Sequence, residues 1–321
     1  MRIVFHGNNA ASFEPGFDKL VGPGHEILRV PDIPVTAADI AAFQNAEVLI
    51  GIALDGRHPK AASVRLYHAP AAGIDAIDRS LLPAGTPVCC CFGHEAAIAE
   101  YVMTALLLRH VAIPAADRDL RQGKWTYWAG GPDSVHTELG DRTLGLIGFG
   151  HIGKAVAARA KAFGMRVNVA NRTVVPEGPP VDRAFGLDRL EAFMGSADYI
   201  VVSLPNVGET RGLVDARALA AMRPDAVILN VGRGPVIDEA ALYSALKERR
   251  IGGAVIDTWY VYPSADKPNP HPATLPFHEL DNCTLTPHMS GWTTGTIRRR
   301  QETMADNVAR LAAGEPLINA A

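Results

Sequence analysis

The stretch that decides the fold is Leu144-Gly145-Leu146-Ile147-Gly148-Phe149-Gly150-His151-Ile152-Gly153, which leads into the alanine-rich run from Lys154 to Phe163. A short apolar run reads as a buried strand, a Gly-x-Gly-x-x-Gly turn follows it directly, and a proline-free helical pattern opens at once. Alone, three such glycines mean little. Between a readable strand and a readable helix each has its own use. Gly148 permits the tight turn, Gly150 lets a diphosphate approach the backbone, and Gly153 lets the helix lie close on the strand. The helix start, at His151 and Ile152, presents backbone N–H groups and a positive dipole end to an anion. This predicts a dinucleotide-binding α/β unit.

The next strand, at 167–170, runs into Asn171-Arg172-Thr173. An NAD site places an acidic residue here to grip the ribose 2′-hydroxyl. This strand end has no carboxylate; it has an arginine, whose fork of donors matches a phosphate. The expectation is therefore NADP(H), with NAD possible; a surface arginine beside an NAD site is the alternative reading.

Outward from this unit, β-branched runs alternate with Ala/Leu-rich stretches along most of the chain, which predicts parallel sheets covered by helices. Strands are expected at 3–6, 48–50, 66–68 and 87–90, then at 144–147, 167–170, 199–203, 226–231, 254–257 and 283–285. One long helical stretch spans 96–120, with Pro114 expected to bend or divide it. The segment 123–135, with Trp125, Tyr127 and Trp128, reads as a loop; its exposed indoles predict a homodimer contact, with packing inside one subunit as the alternative. A proline-rich stretch, 262–282, is irregular by composition, and a helix closes the chain at 293–313.

Three chemistry-bearing points follow strand ends: Asn230-Val231-Gly232-Arg233-Gly234, Asp257, and Thr286-Pro287-His288. Ligands of open parallel sheets lie beyond the carboxyl ends of the strands, so the three belong together. A glycine-flanked arginine suits a bidentate hold on a carboxylate. A histidine beside it can move the proton of a carbonyl oxygen.

The 321 residues are long for one core, so two domains are expected. The chain is 48% hydrophobic and 20% charged, an ordinary globular composition. With 31 basic and 34 acidic residues its net charge is −3, which speaks against a nucleic-acid partner. No apolar run reaches the roughly 18 residues of a membrane span. The opening Arg2-Ile3-Val4-Phe5 reads as a strand rather than a leader. Four cysteines, three adjacent at Cys89, Cys90 and Cys91, make no disulfide framework and read as buried strand rather than metal ligands. The chain reads as soluble and cytoplasmic.

From His68 to the C-terminus the sequence resembles the D-isomer-specific 2-hydroxyacid dehydrogenase family. The resemblance rests on Ala71-Ala72-Gly73-Ile74-Asp75, the run from Glu95 to Tyr101, the glycine turn, Asn230 to Gly234, Asp257-Thr258-Trp259, Thr286 to His288, and Gly314-Glu315-Pro316-Leu317. It implies an α/β fold of two Rossmann-like domains with doubly wound parallel sheets. The substrate domain would be discontinuous, 1–98 plus 289–321, around a cofactor domain at 99–288. It further implies a homodimeric oxidoreductase acting on a small 2-oxo or 2-hydroxy acid, of the glyoxylate/hydroxypyruvate reductase type. Arg233 and His288 would hold and protonate the substrate. Ala72, Gly73 and His94 would line its site, and Pro205, Thr210, Val231 and Asp257 would join the glycine turn and Asn171 to Thr173 around the cofactor.

One position departs from the family. Most members carry, five residues beyond the aspartate, a glutamate that pairs with the histidine; here Tyr262 stands there. A phenol with a pKa near ~10 cannot stabilise an imidazolium as a carboxylate does. Reduction is therefore expected to fade as pH rises through a value at or below ~6.5. Formate dehydrogenases of the superfamily also lack that glutamate, although His94 stands where they have asparagine, so hydride-only oxidation is one alternative. A dinucleotide-sensing, co-repressor-like binding protein is the other.

Overall fold

The computed structural model describes residues 1–131, 134–264 and 266–321, and among these, twelve strands form two sheets in which paired strands are parallel. The first sheet contains β1 (Arg2–His6), β2 (Glu26–Val30), β3 (Val48–Ile50), β4 (Leu66–His68) and β5 (Val88–Cys89), in the order β2-β1-β3-β4-β5. The second contains β6 (Thr143–Ile147), β7 (Arg166–Asn171), β8 (Arg183–Gly186), β9 (Tyr199–Val202), β10 (Val227–Asn230), β11 (Gly253–Ile256) and β12 (Cys283–Leu285), in the order β12-β11-β10-β9-β6-β7-β8. The chain divides accordingly into two units, Met1–His94 with Trp292–Ala321, and Glu95–Gly291.

Both sheets are doubly wound. Strand order reverses between β1 and β3 in the first and between β6 and β9 in the second, and open parallel sheets take their ligands beyond the carboxyl ends at such points. Each sheet is buried on both faces. In the larger unit Ile147, Ile200, Ile228 and Ile256 face one core, while Leu146, Val169, Val201 and Leu229 face the other. In the smaller unit Ile3, Phe5 and Ile50 lie on one side of the sheet, and Val4, Leu49 and Tyr67 on the other. Full burial of such side chains contributes roughly 1.5–3 kcal/mol each, so the central strands read plainly as apolar runs.

Two strands escaped the sequence reading, β2 and β8, and both are sheet edges. Their sequences, Glu-Ile-Leu-Arg-Val and Arg-Ala-Phe-Gly, carry charges toward solvent and no continuous apolar run. The expected long helix is divided into Glu95–His110 and Ile113–Arg121, whose axes differ by 52°. Pro114 sits in the first turn of the second helix, where its missing N–H removes no helical hydrogen bond.

In the loop that follows, Trp125, Tyr127 and Trp128 are 68%, 44% and 58% exposed. Pro132 and Asp133 of that loop, and Ala265 of the proline-rich stretch, lie outside the described residues. Cys89, Cys90 and Cys91 are buried as expected. Among the described residues no single helix is long and apolar enough to cross a membrane.

Candidate active site

The glycine turn leaves β6 at the point where the strand order reverses. Gly148 has φ +100°, a conformation costly for any other residue, and its N–H donates to Ala170 O on β7 at 2.9 Å. A Cβ on Gly153 would come within 2.3 Å of Gly148 O, so glycine alone lets the helix His151–Ala162 start this close to the strand. Gly150 differs. A Cβ there would meet nothing within 4 Å, so the fold makes no demand for glycine and the close approach of a ligand does. Gly150 caps that helix without a side chain, and the helix start is the place where a phosphate would sit. His151 is exposed at the helix start, whereas Ile152 packs onto the core under the sheet.

Asn171, at the end of β7, braces the turn. Phe149 N–H donates to its Oδ1 at 3.3 Å, and its Nδ2 donates to Thr173 Oγ1 at 2.8 Å. Arg172 projects into solvent and donates from Nη1 to Glu209 Oε2 at 3.1 Å, with both side chains about three-quarters exposed. The strand end lacks a carboxylate, but the loop after β9 delivers one, and no local pattern in the sequence signals this. That loop is tied by Thr210, whose Oγ1 donates to Pro205 O at 2.6 Å and accepts from Val207 N–H at 2.9 Å.

Arg233 leaves the end of β10 between two glycines whose need is now physical. A Cβ on Gly232 would lie 2.6 Å from Leu204 O, and one on Gly234 would lie 2.2 Å from Trp259 O. The arginine is thus held where the chains leaving β9 and β11 press on it from either side. Asn230 clips the same loop, with Oδ1 accepting from Gly232 N–H at 3.2 Å and Nδ2 donating to Arg233 O at 3.1 Å. Val231 is buried in the core below.

Asp257, fully buried at the end of β11, accepts from Thr286 Oγ1 at 2.6 Å, Met289 N–H at 2.8 Å and Ser290 N–H at 3.0 Å. It thereby anchors both sides of His288, which takes a left-handed φ of +57°. Tyr101, from the helix Glu95–His110, extends the network by a 2.7 Å hydrogen bond to Thr286 Oγ1. The His288 ring is open to solvent on one side, yet lost hydration pushes its pKa below the ordinary value; Asp257 pulls it up and Arg233 pushes it down. Tyr262 meets the ring: its Oη lies 2.8 Å from His288 Nδ1 and accepts from Trp259 N–H at 3.1 Å.

The structure therefore gathers the glycine turn, Asn171, Arg172, Arg233, Asp257, Tyr262 and His288 along one edge of the seven-stranded sheet. Ala72, Gly73 and His94 belong to the smaller unit, at or near the carboxyl ends of β4 and β5. Their loop is fixed by a residue the sequence reading missed. Arg300, buried in the helix Thr294–Ala313, donates to Pro70 O at 2.9 Å and Phe92 O at 3.3 Å, and Cys91 N–H donates to Ala71 O at 2.9 Å. A helical arginine far along the chain gives no local sign of such a role.

A doubly wound sheet with a phosphate-binding glycine turn at its switch point defines a dinucleotide-binding protein, and these residues fit such a ligand. Residues 103–290 match the family model described as D-isomer specific 2-hydroxyacid dehydrogenase, NAD binding domain, and the chain belongs to that family. It is 31% identical over 304 residues to the D-3-phosphoglycerate dehydrogenase of Mycobacterium tuberculosis, covering 92% of this chain and 52% of that protein. With the glyoxylate reductase of Thermococcus gammatolerans it shares 34% identity over 223 residues, covering 68% of this chain and 64% of the other. The chain thus spans about half the length of the phosphoglycerate dehydrogenases it matches. Among solved structures, an NADPH-dependent glyoxylate/hydroxypyruvate reductase from Sinorhizobium meliloti superposes with a TM-score of 0.77 at 26% identity, covering 100% of this chain and 97% of that one.

Proposed function

We propose that this protein reduces a small 2-oxo acid to the 2-hydroxy acid with NADPH, in the manner of a glyoxylate/hydroxypyruvate reductase. The observation that carries the reading is the placement of Arg233 and His288 on the same sheet edge as the glycine turn, with His288 set in position by Asp257. The bound nicotinamide supplies the hydride. Arg233 holds the substrate carboxylate beside the carbonyl through paired N–H groups, and His288 places a proton on the carbonyl oxygen. Support comes from the glyoxylate reductase of T. gammatolerans and from the S. meliloti enzyme, whose NADPH dependence agrees with Arg172 at the ribose end of the site.

A panel of 2-oxo acids, glyoxylate and hydroxypyruvate first, assayed by loss of the reduced-nicotinamide absorbance, tests the reading. Turnover on at least one acid, faster with NADPH than with NADH, is expected. Reduction of NADP⁺ by formate alone, or dinucleotide binding with no turnover on any acid, refutes it. The exposed Trp125, Tyr127 and Trp128 further support a homodimer contact through that loop. Sedimentation is expected to show a dimer that Trp125→Ser/Trp128→Ser weakens; a stable, active monomer in the parent protein ends that part of the proposal.

A further inference from the structure

Tyr262 does more at this edge than leave a carboxylate out. Its oxygen accepts from Trp259 N–H, a donor that cannot reverse its role. The phenolic proton remains to be placed, and His288 Nδ1 stands 2.8 Å away. A phenol is a better donor than acceptor and a neutral imidazole nitrogen is a strong acceptor, so the bond runs from Tyr262 to His288. A carboxylate at this position would impose the opposite direction, since it can only accept.

We propose that Tyr262 is a positioning residue that holds His288 as the neutral Nε2–H tautomer and backs its proton transfer with the phenolic proton. The inference rests on the reductase reading for its catalytic half and on geometry alone for its tautomeric half. As hydride reaches the carbonyl carbon, the C=O π pair moves onto oxygen and takes the Nε2 proton. The phenolic O–H breaks as Nδ1–H forms, leaving a neutral ring and a phenolate that keeps the Trp259 N–H. Tyr262 is 45% exposed, so solvent can reach the pair. Reprotonation of Nε2 from water lets Nδ1 return its proton to the phenolate, and one solvent proton is consumed per turnover.

The charged and titratable groups around the pair are Asp257 beyond β11 and Arg233 beyond β10, and they bear on both rings. Loss of hydration raises the Tyr262 pKa above its ordinary value near 10, while Trp259 N–H and Arg233 lower it and Asp257 raises it. The donor is protonated below that value and lost above it. Reduction should therefore hold level through neutral pH and fade only in the tyrosine range, not near ~6.5 where an unbacked histidine would lose its proton.

The test joins spectra and rates. In protein labelled with ¹⁵N-histidine, with the His288 signals assigned by loss in His288→Gln, long-range ¹H–¹⁵N correlation at neutral pH should show Nδ1 bare and Nε2 protonated. Tyr262→Phe should blur this into a tautomer mixture, and Tyr262→Glu should convert it to Nδ1–H. For the reaction, the wild-type rate should stay level to about pH 9, whereas Tyr262→Phe should lose about tenfold per unit above a value at or below the ordinary histidine ~6.5. Nδ1–H in the wild type, or one shared pH limb in wild type and Tyr262→Phe, overturns the proposal. Should no 2-oxo acid be turned over, the reductase reading fails while the spectra still decide the tautomer.

Discussion

At the end of β6 the chain turns on glycines: Gly148 takes φ +100°, and Gly153 leaves room that a single methyl group would fill. At the end of β12 the chain also turns through a left-handed residue, but there it is His288, held by the Asp257 carboxylate through the N–H groups of Met289 and Ser290. The first turn is made by side chains that are missing, the second by side chains that grip. A turn that must let a phosphate touch its backbone has to be bare. A turn that must aim an imidazole needs a side chain at its strained position and has to be held from outside. If the proposed function holds, binding and proton chemistry at this one edge are built by opposite means, and substitutions should separate them.

The largest effect is expected on the gripped turn. His288→Ala should lower turnover by about 10²–10⁴-fold while the dissociation constant for NADPH, followed by fluorescence, barely moves. Equal losses of turnover and cofactor binding would show that the two turns are not separable.

Next is the ribose end of the bare turn. Arg172→Ala should remove a preference for NADPH over NADH on the order of ten- to a thousandfold, read from the Michaelis constants of both cofactors. Equal constants already in the parent protein would end the NADP assignment.

Gly150→Val sharpens the comparison, because a Cβ there touches no protein atom. Melting temperature should hold while the dissociation constant for either dinucleotide rises by roughly tenfold or more, about 1.4 kcal/mol. Gly153→Val should instead lose stability as well, since its Cβ meets the Gly148 carbonyl. A Gly150→Val protein that binds normally would contradict a phosphate seat at this turn.

The smallest effect belongs to Glu209. Exposed ion pairs contribute about 0.2–1 kcal/mol, so releasing Arg172 by Glu209→Gln should tighten NADPH by about two- to fivefold and leave NADH unimproved. Weaker NADPH binding in that variant would mean that the carboxylate orients the arginine rather than competing with the 2′-phosphate.

The sequence by itself determined the parts whose physics is local. Central strands are apolar because both faces are buried, the glycine turn has its own spacing, and strand-end residues share an edge once the sheet is parallel. Arg172, Arg233, Asp257 and His288 could be named on that basis. Edge strands β2 and β8 could not, because half their surface is wet and their composition resembles a loop. Nor could partners far apart in sequence. Glu209 reaches Arg172 across 37 residues and Arg300 reaches Pro70 across 230, contacts with no period or spacing to betray them. For Tyr262 the sequence disclosed a missing carboxylate. Only the fold set Trp259 N–H and His288 Nδ1 within hydrogen-bond reach of its phenolic oxygen.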